Sequence, residues 1–211
     1  KIPALELEDI DRKIKTIPLE VSDFQETPVL FHDLFTNGIF YLDLGFDLHN
    51  LPQEYLPYVP LFSQALLEMG TQSEDFVKLS QRIGRETGGI YPTSFTSVIP
   101  EDERSAAWLF LRGKATVDQA GELLAIFRDV LQTVRLDNPE RFRQMVLEAR
   151  ADQETMLVPG GHRVVNARLR ALFDEAGWAA EQMSGVSYLF FLRELAQAVE
   201  NDWPGVLEKL E

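Results

Sequence analysis

The 211 residues predict an α+β fold, an antiparallel sheet with its helices packed on one face. Three observations carry that expectation. Residues 39–48 alternate between apolar and polar or small side chains, which is the period of a half-buried strand. Strand-like runs come as two pairs separated by two helical stretches. From residue 116 onward, apolar residues recur at helical spacing behind helix-start residues. The expected order is two strands, two helices, two strands, then four helices.

Residues 1–26 are acidic and loosely patterned, with Pro3 and Pro18 breaking any long helix, and read as a connector; residues 27–211 read as the folded domain. Glu6, Glu8, Asp9 and Asp11 cluster in the connector, but no Gly-centred loop surrounds them, so a solvated run is the plainer reading than a metal site. Thr27 to Leu34 reads as a strand, Asn37-Gly38 as a type I′ hairpin turn, and Ile39 to Leu48 as the returning strand. On the latter, Phe40, Leu42, Leu44, Phe46 and Leu48 share one face, and Ile39, Tyr41, Asp43, Gly45 and Asp47 the other. Asp43 and Asp47 stand ~13 Å apart on such a strand, too far for an acid–base pair.

Leu51 to Tyr58 reads as an ordered loop entering a helix near Pro60, which buries Leu61, Ala65, Leu66 and Met69 and stops at Gly70. A capping box at Thr71 and Glu74 predicts a second helix, with Phe76, Leu79 and Ile83 inward and Gly88-Gly89 at its end. Ile90 to Ile99 and Ala106 to Ala115 form the second strand pair. Thr116 and Gln119 form another capping box, leading into Val117, Ala120, Leu124, Phe127, Leu131 and Val134. Asn138 as N-cap and Pro139 as first helical residue start a helix burying Phe142, Met145, Val146 and Ala149. After Pro159-Gly160-Gly161 a helix is expected from His162 to about Ala176, and a last one from near Ser187 to Trp203-Pro204.

Composition excludes several function classes. Hydrophobic residues at 45% and charged residues at 26%, with abundant aromatics, describe a folded globular chain. The net charge of -14 repels phosphate backbones, so nucleic acid is not an expected partner. No apolar run approaches the ~20 residues that span a bilayer, so no membrane partner is expected. Cysteine is absent, which removes disulfides, thiolate metal sites and a cysteine nucleophile. The opening Lys1-Ile2-Pro3-Ala4 lacks a Met and the apolar stretch of a signal peptide, and reads as part of a longer protein.

The chemistry-bearing motifs are missing. Neither H-E-x-x-H nor H-x-x-E-H occurs, and His32, His49 and His162 sit singly, so no metal ligands are expected. No G-x-S-x-G elbow occurs, leaving only a Ser or Thr paired with a distant His, and no catalytic residue is assigned. Gly84 to Gly89 lacks the Lys-Ser/Thr ending of a phosphate loop and follows a helix. Gly160, Gly161 and His162 are the one candidate contact, a helix start whose backbone N–H groups suit an anion or a peptide carboxylate. A Gly pair at a helix start is common, so a simple loop is the plainer reading there.

A set of strings in order carries a family resemblance: Phe31-His32-Asp33-Leu34-Phe35-Thr36-Asn37-Gly38-Ile39, Tyr41-Leu42-Asp43-Leu44-Gly45-Phe46-Asp47, Leu66-Leu67-Glu68-Met69-Gly70-Thr71, Leu79-Ser80-Gln81-Arg82-Ile83-Gly84-Arg85, and Thr87-Gly88-Gly89-Ile90. Ala176-Gly177-Trp178, Glu181-Gln182-Met183, Ser187-Tyr188-Leu189 and Phe191-Leu192 complete it. Together they resemble the presequence proteases, zinc metallopeptidases related to pitrilysin and insulinase, over nearly the whole chain. The resemblance implies the segment after a helical hairpin, the first α+β domain of a non-catalytic second half, with zinc held elsewhere in the parent enzyme. It implies a wall enclosing short unfolded peptides such as targeting peptides, packed on the remaining domains of the same polypeptide. The acidic balance would then favour basic peptides by Coulomb attraction. The implied compartment is the cytoplasm of a bacterium, or a mitochondrial matrix or plastid stroma. The alternative is a stand-alone peptide-binding or assembly module without catalysis.

Overall fold

Strand β5 (Ser105–Thr116) shows most plainly why a sheet forms: from Ser105 to Ala115 every second residue is buried and the residues between are not. In the computed structural model, which describes residues 16–101 and 104–211, β5 is the centre of a three-stranded antiparallel sheet. Its neighbours are β3 (Ile39–Asp47) and β4 (Ile90–Val98), in the order β3-β5-β4. Asp43 stands opposite Arg112 and Arg112 opposite Tyr91, so each strand contributes to continuous rows across the sheet. The α+β fold class expected from the sequence is the one observed.

The chain divides into two compact units, Lys1–Gly38 and Ile39–Glu211. In the first, β1 (Glu20–Phe24) pairs antiparallel with β2 (Thr27–Phe31), and all residues of both strands are exposed. The acidic run Glu6, Glu8, Asp9 and Asp11, and Pro3, lie outside the described residues. The expected pairing of residues 27–34 with residues 39–48 is corrected: β2 pairs with β1, and β3 with β5. The tight hairpin turn is Gln25-Glu26, both at positive φ (50° and 66°), although neither residue favours it. Asn37 and Gly38 do adopt the expected positive φ (54° and 75°), so the backbone reading was sound while the partner strand was not. Turn chemistry acts over two residues; strand pairing depends on burial far along the chain.

In the second unit the helices gather on one side of the sheet. They are α1 (Val59–Glu68), α2 (Phe76–Glu86), α3 (Ala120–Gln132), α4 (Pro139–Leu157), α5 (Gly161–Arg170), α6 (Glu175–Ser184), α7 (Val186–Asn201) and α8 (Trp203–Leu210). One cluster packs Leu111 and Ala115 of β5, with Phe40, Leu42 and Leu44 of β3, against Leu79, Leu123, Ile126, Phe127 and Val130. A second joins α1, α4, α7 and α8 through Leu61, Phe142, Met145, Leu192 and Val206. A third holds Leu48, Ala107 and Leu109 against Ala179 and Met183 of α6.

Four helix expectations are corrected. The capping box at Thr71 is a turn in which Thr71 Oγ1 accepts from Glu74 N at 3.2 Å; the helix starts later, capped by Asp75, whose side chain accepts from Lys78 N. Thr116 likewise makes no side-chain cap, and α3 follows a short 3₁₀ turn. On α3 the buried stripe is Leu123, Ile126, Phe127 and Val130, one residue round from the expected one, with Leu124 exposed. The apolar doublets Leu123-Leu124, Ile126-Phe127 and Val130-Leu131 permit either phase, and the sheet selects one. The helix expected over residues 162–176 is two, because Asp174 caps α6 by accepting from Gly177 N. Trp203-Pro204 ends α7 as expected but also opens α8, where proline is at home in the first turn.

Between α2 and α3, Arg82 donates to Glu74 at 2.7 Å and to Asp129 at 2.9 Å. Burial opposes charging of Asp129, and the bonds from Arg82 and Arg128 outweigh it, so its carboxyl lies below the ordinary 3.8. Such a group binds fewer protons folded than unfolded, so its stabilisation is present above the unfolded value and lost as pH falls through the folded one. Asp129→Asn is expected to cost about 1–2 kcal/mol at neutral pH and progressively less in acid, measured by urea unfolding at several pH values.

Candidate functional site

The sheet's second face is not covered by helices of its own unit. It carries Tyr41, Asp43, Gly45 and Asp47 of β3, Trp108, Phe110, Arg112 and Lys114 of β5, and Tyr91, Thr93, Phe95 and Ser97 of β4, set in register. Tyr41, Tyr91 and Phe95 are 60%, 51% and 48% exposed. Trp108 and Phe110 stack with ring centres 6.1 Å apart, across from Gly45 and Asp47. Arg112 grips Asp43 through Nε (3.0 Å) and Nη2 (2.7 Å), so the charges on this face neutralise each other. The result is an aromatic, hydroxyl-dotted and nearly neutral surface, suited to extended chains of varied sequence. The alternation in β3 makes that strand's share of this face legible; the β4 and β5 contributions need the register.

A cleft of about 590 Å³ opens between the end of β4 and helices α5 and α6, lined by Thr96, Ser97 and Val98 and by His162, Arg163, Asn166 and Arg170. It exists because α5 and α6 cross closely: a Cβ on Gly177 would lie 2.7 Å from the Arg170 carbonyl oxygen. Of the candidate contact Gly160, Gly161 and His162, the structure brings His162 to this cleft and not the glycines. The Gly160 N–H donates to Met156 O at 2.9 Å, closing the end of α4. The sequence signal for the arginines beside His162 is compositional: α5 (GHRVVNARLR) holds three arginines and no acid in a chain of net charge -14.

A third cluster has triad-like connectivity. Asp47 Oδ1 lies 2.7 Å from His49 Nδ1, and His49 Nε2 lies 3.5 Å from Ser105 Oγ. Bonds from the His49 backbone and ring hold the Asp47 carboxyl below the ordinary aspartate range. The Ser105 hydroxyl, however, donates to Glu175 Oε2 at 2.8 Å, so its proton is committed to a carboxylate and not to the imidazole. Ser105 is also buried. The arrangement pins the end of β3 and the start of β5 to the start of α6; it does not activate a nucleophile. Nor do these residues fit zinc, since Asp47 engages one ring nitrogen of His49 and a buried hydroxyl faces the other. Among the described residues no three His, Asp or Glu side chains converge to hold a metal ion, and no helix is long and apolar enough to cross a membrane.

Residues 1–195 match the family model described as Peptidase M-16C associated. The chain is similar to presequence protease 1, chloroplastic/mitochondrial, of Arabidopsis thaliana, at 42% identity over 210 residues, covering 100% of this chain and 19% of that protein. It is 30% identical over 192 residues to protein HypA of Clostridium perfringens, covering 90% of this chain and 20% of the relative. The mitochondrial presequence protease of Danio rerio is 24% identical over 212 residues, with 99% and 20% covered. The chain thus spans about a fifth of the length of the curated relatives it matches.

Proposed function

Because this chain belongs to the Peptidase M-16C associated family, matched over residues 1–195, we propose that it is the non-catalytic, substrate-enclosing part of a zinc metalloendopeptidase acting on short unfolded peptides such as targeting peptides. The observation that carries the reading is the face of the β3-β5-β4 sheet that the helices of its own unit leave open. A wall that must accept many sequences needs aromatic faces and hydroxyls and few fixed charges, and Tyr41, Tyr91, Thr93 and Phe95 supply that. Zinc and the bond-breaking groups belong to other domains of the same polypeptide, in an organelle or a bacterial cytoplasm. A second surface supports such neighbours: Val158, Leu172 and Phe173 are 91%, 79% and 81% exposed, which is costly in water and suits burial against another domain.

The test uses the full-length protein that carries this chain. Tyr91→Ser with Phe95→Ser is expected to lower kcat/KM for an unfolded peptide about tenfold, the equivalent of roughly 1.4 kcal/mol, mainly through KM. Zinc content and thermal midpoint should not change. An unaltered kcat/KM in a folded double variant removes the sheet face from the proposal.

A further inference from the structure

We infer that the cleft between α5, α6 and the end of β4 seats the C-terminal carboxylate of an extended peptide. The helix α5 presents Arg163, Asn166, Ala167 and Arg170 to the cleft, the i, i+3, i+4, i+7 stripe of one helical face. Arg168 lies on another side and is committed to Glu181 at 3.2 Å. Among the described residues Arg163 and Arg170 have no carboxylate partner, whereas Arg82, Arg112, Arg141, Arg143 and Arg193 each grip at least one. Two guanidinium groups lining one cleft, in a chain of net charge -14, make it a local cationic site, and each offers the planar fork that a carboxylate accepts.

The surroundings select a peptide over other anions. The chain's overall charge opposes a polyphosphate. β4 is an edge strand, so its Thr96–Val98 end leaves alternate backbone N–H and C=O groups outward, the template on which an extended segment adds. Asn166 adds a side-chain donor and acceptor and Ser97, whose hydroxyl donates to Val98 O, an acceptor; the volume falls within the roughly 300–1,000 Å³ usual for small-ligand sites. Arg163 and Arg170 are seven residues apart, ~10 Å along the helix axis, which matches about three residues of extended chain. One guanidinium therefore takes the chain end while the other stands beside residues upstream. On α5 the exposed Val165 and Leu169 lie on the opposite side from this stripe, so a domain covering them leaves the cleft open.

The inference deepens the peptide-enclosing reading by naming which end of the peptide is held. The test is fluorescence anisotropy of a labelled eight-residue peptide on this chain at low salt, as free acid, as C-terminal amide, and as free acid with an internal Glu→Gln change. The free acid is expected to bind about tenfold more tightly than the amide, the loss of a charge-assisted pair. Arg163→Gln with Arg170→Gln should erase that difference, with far-UV circular dichroism unchanged because both side chains are exposed. Ala167→Phe, which fills the cleft without changing charge, should weaken the free acid alike. Equal binding of acid and amide, a difference that survives the double variant, or loss through Glu→Gln in place of amidation would each overturn the assignment. None of these outcomes bears on Tyr91 and Phe95, so failure here stays distinct from failure of the sheet face.

Discussion

Phe142→Ala is expected to destabilise the chain by about 3–5 kcal/mol. Phe142 is fully buried on α4, with the Trp203 ring tilted at 50° and 5.8 Å away. It touches the cluster in which α1, α4, α7 and α8 meet, with Leu61, Met145, Leu192 and Val206. These neighbours come from four separate helices, so they cannot all move inward to fill the space, and the cavity term adds to the lost transfer energy. In a chain of 211 residues the thermal midpoint should fall on the order of 10 °C, and the urea midpoint should drop with little change in slope. Phe142→Leu keeps most of the volume and should cost about 1–2 kcal/mol. Phe173→Ala is the control: an exposed phenylalanine whose removal should stay within about 0.5 kcal/mol. A Phe142→Ala loss no larger than the control's would show that the four helices do not share this core.

Glu181→Leu is expected to cost about 2–4 kcal/mol, through a mechanism that apolar volume cannot replace. Glu181 is 1% exposed on α6, yet its carboxylate is fully engaged. Oε1 accepts from Ser187 N at 3.0 Å and from Arg168 Nη1 at 3.2 Å, and Oε2 accepts from Gln182 Nε2 at 3.3 Å. Gly185, the N-cap of α7, has no side chain to satisfy the first-turn amides. Glu181 performs that office from the preceding helix, with negative charge at the positive end of the α7 dipole. Leucine strands the partly buried Ser187 N–H, whereas Glu181→Gln retains an acceptor and should cost roughly 1 kcal/mol. Arg168 is mostly exposed, so Arg168→Leu should cost under about 1 kcal/mol. Hydrogen exchange at the Ser187 amide separates the cases, with protection lost in Glu181→Leu and retained in Arg168→Leu.

Much of this was legible in the residues. The alternation Phe40, Leu42, Leu44, the proline and asparagine at the start of α4, and the burial of Phe142, Met145 and Val146 all appear as expected. The resemblance in strings such as Glu181-Gln182-Met183 pointed to the family that the comparison confirms, but not to why Glu181 stands there. The cap it supplies is six residues away, on a different helix, and no pattern within one helix announces it. The sequence offers His162 for the glycines beside it, whereas Arg163 and Arg170 line the cleft only because β4 and α6 lie beside α5. The Asp47, His49, Ser105 and Glu175 cluster joins residues up to 70 positions apart in one bond and left no trace in the sequence.

The residues alone carry the class of most local segments, though not strand β1 or helix α8, together with the absence of hydrolase and zinc motifs and the family. Periodicity, caps and turn residues act through backbone sterics and hydrogen bonds a few positions apart, so they survive in one dimension. The packed structure alone settles that β3 pairs with β5 and not with β2, which phase of α3 faces inward, and that among the described residues Arg163 and Arg170 lack a carboxylate partner. Those outcomes depend on which apolar faces cover each other and which buried polar groups find partners, a condition satisfied by the whole chain at once.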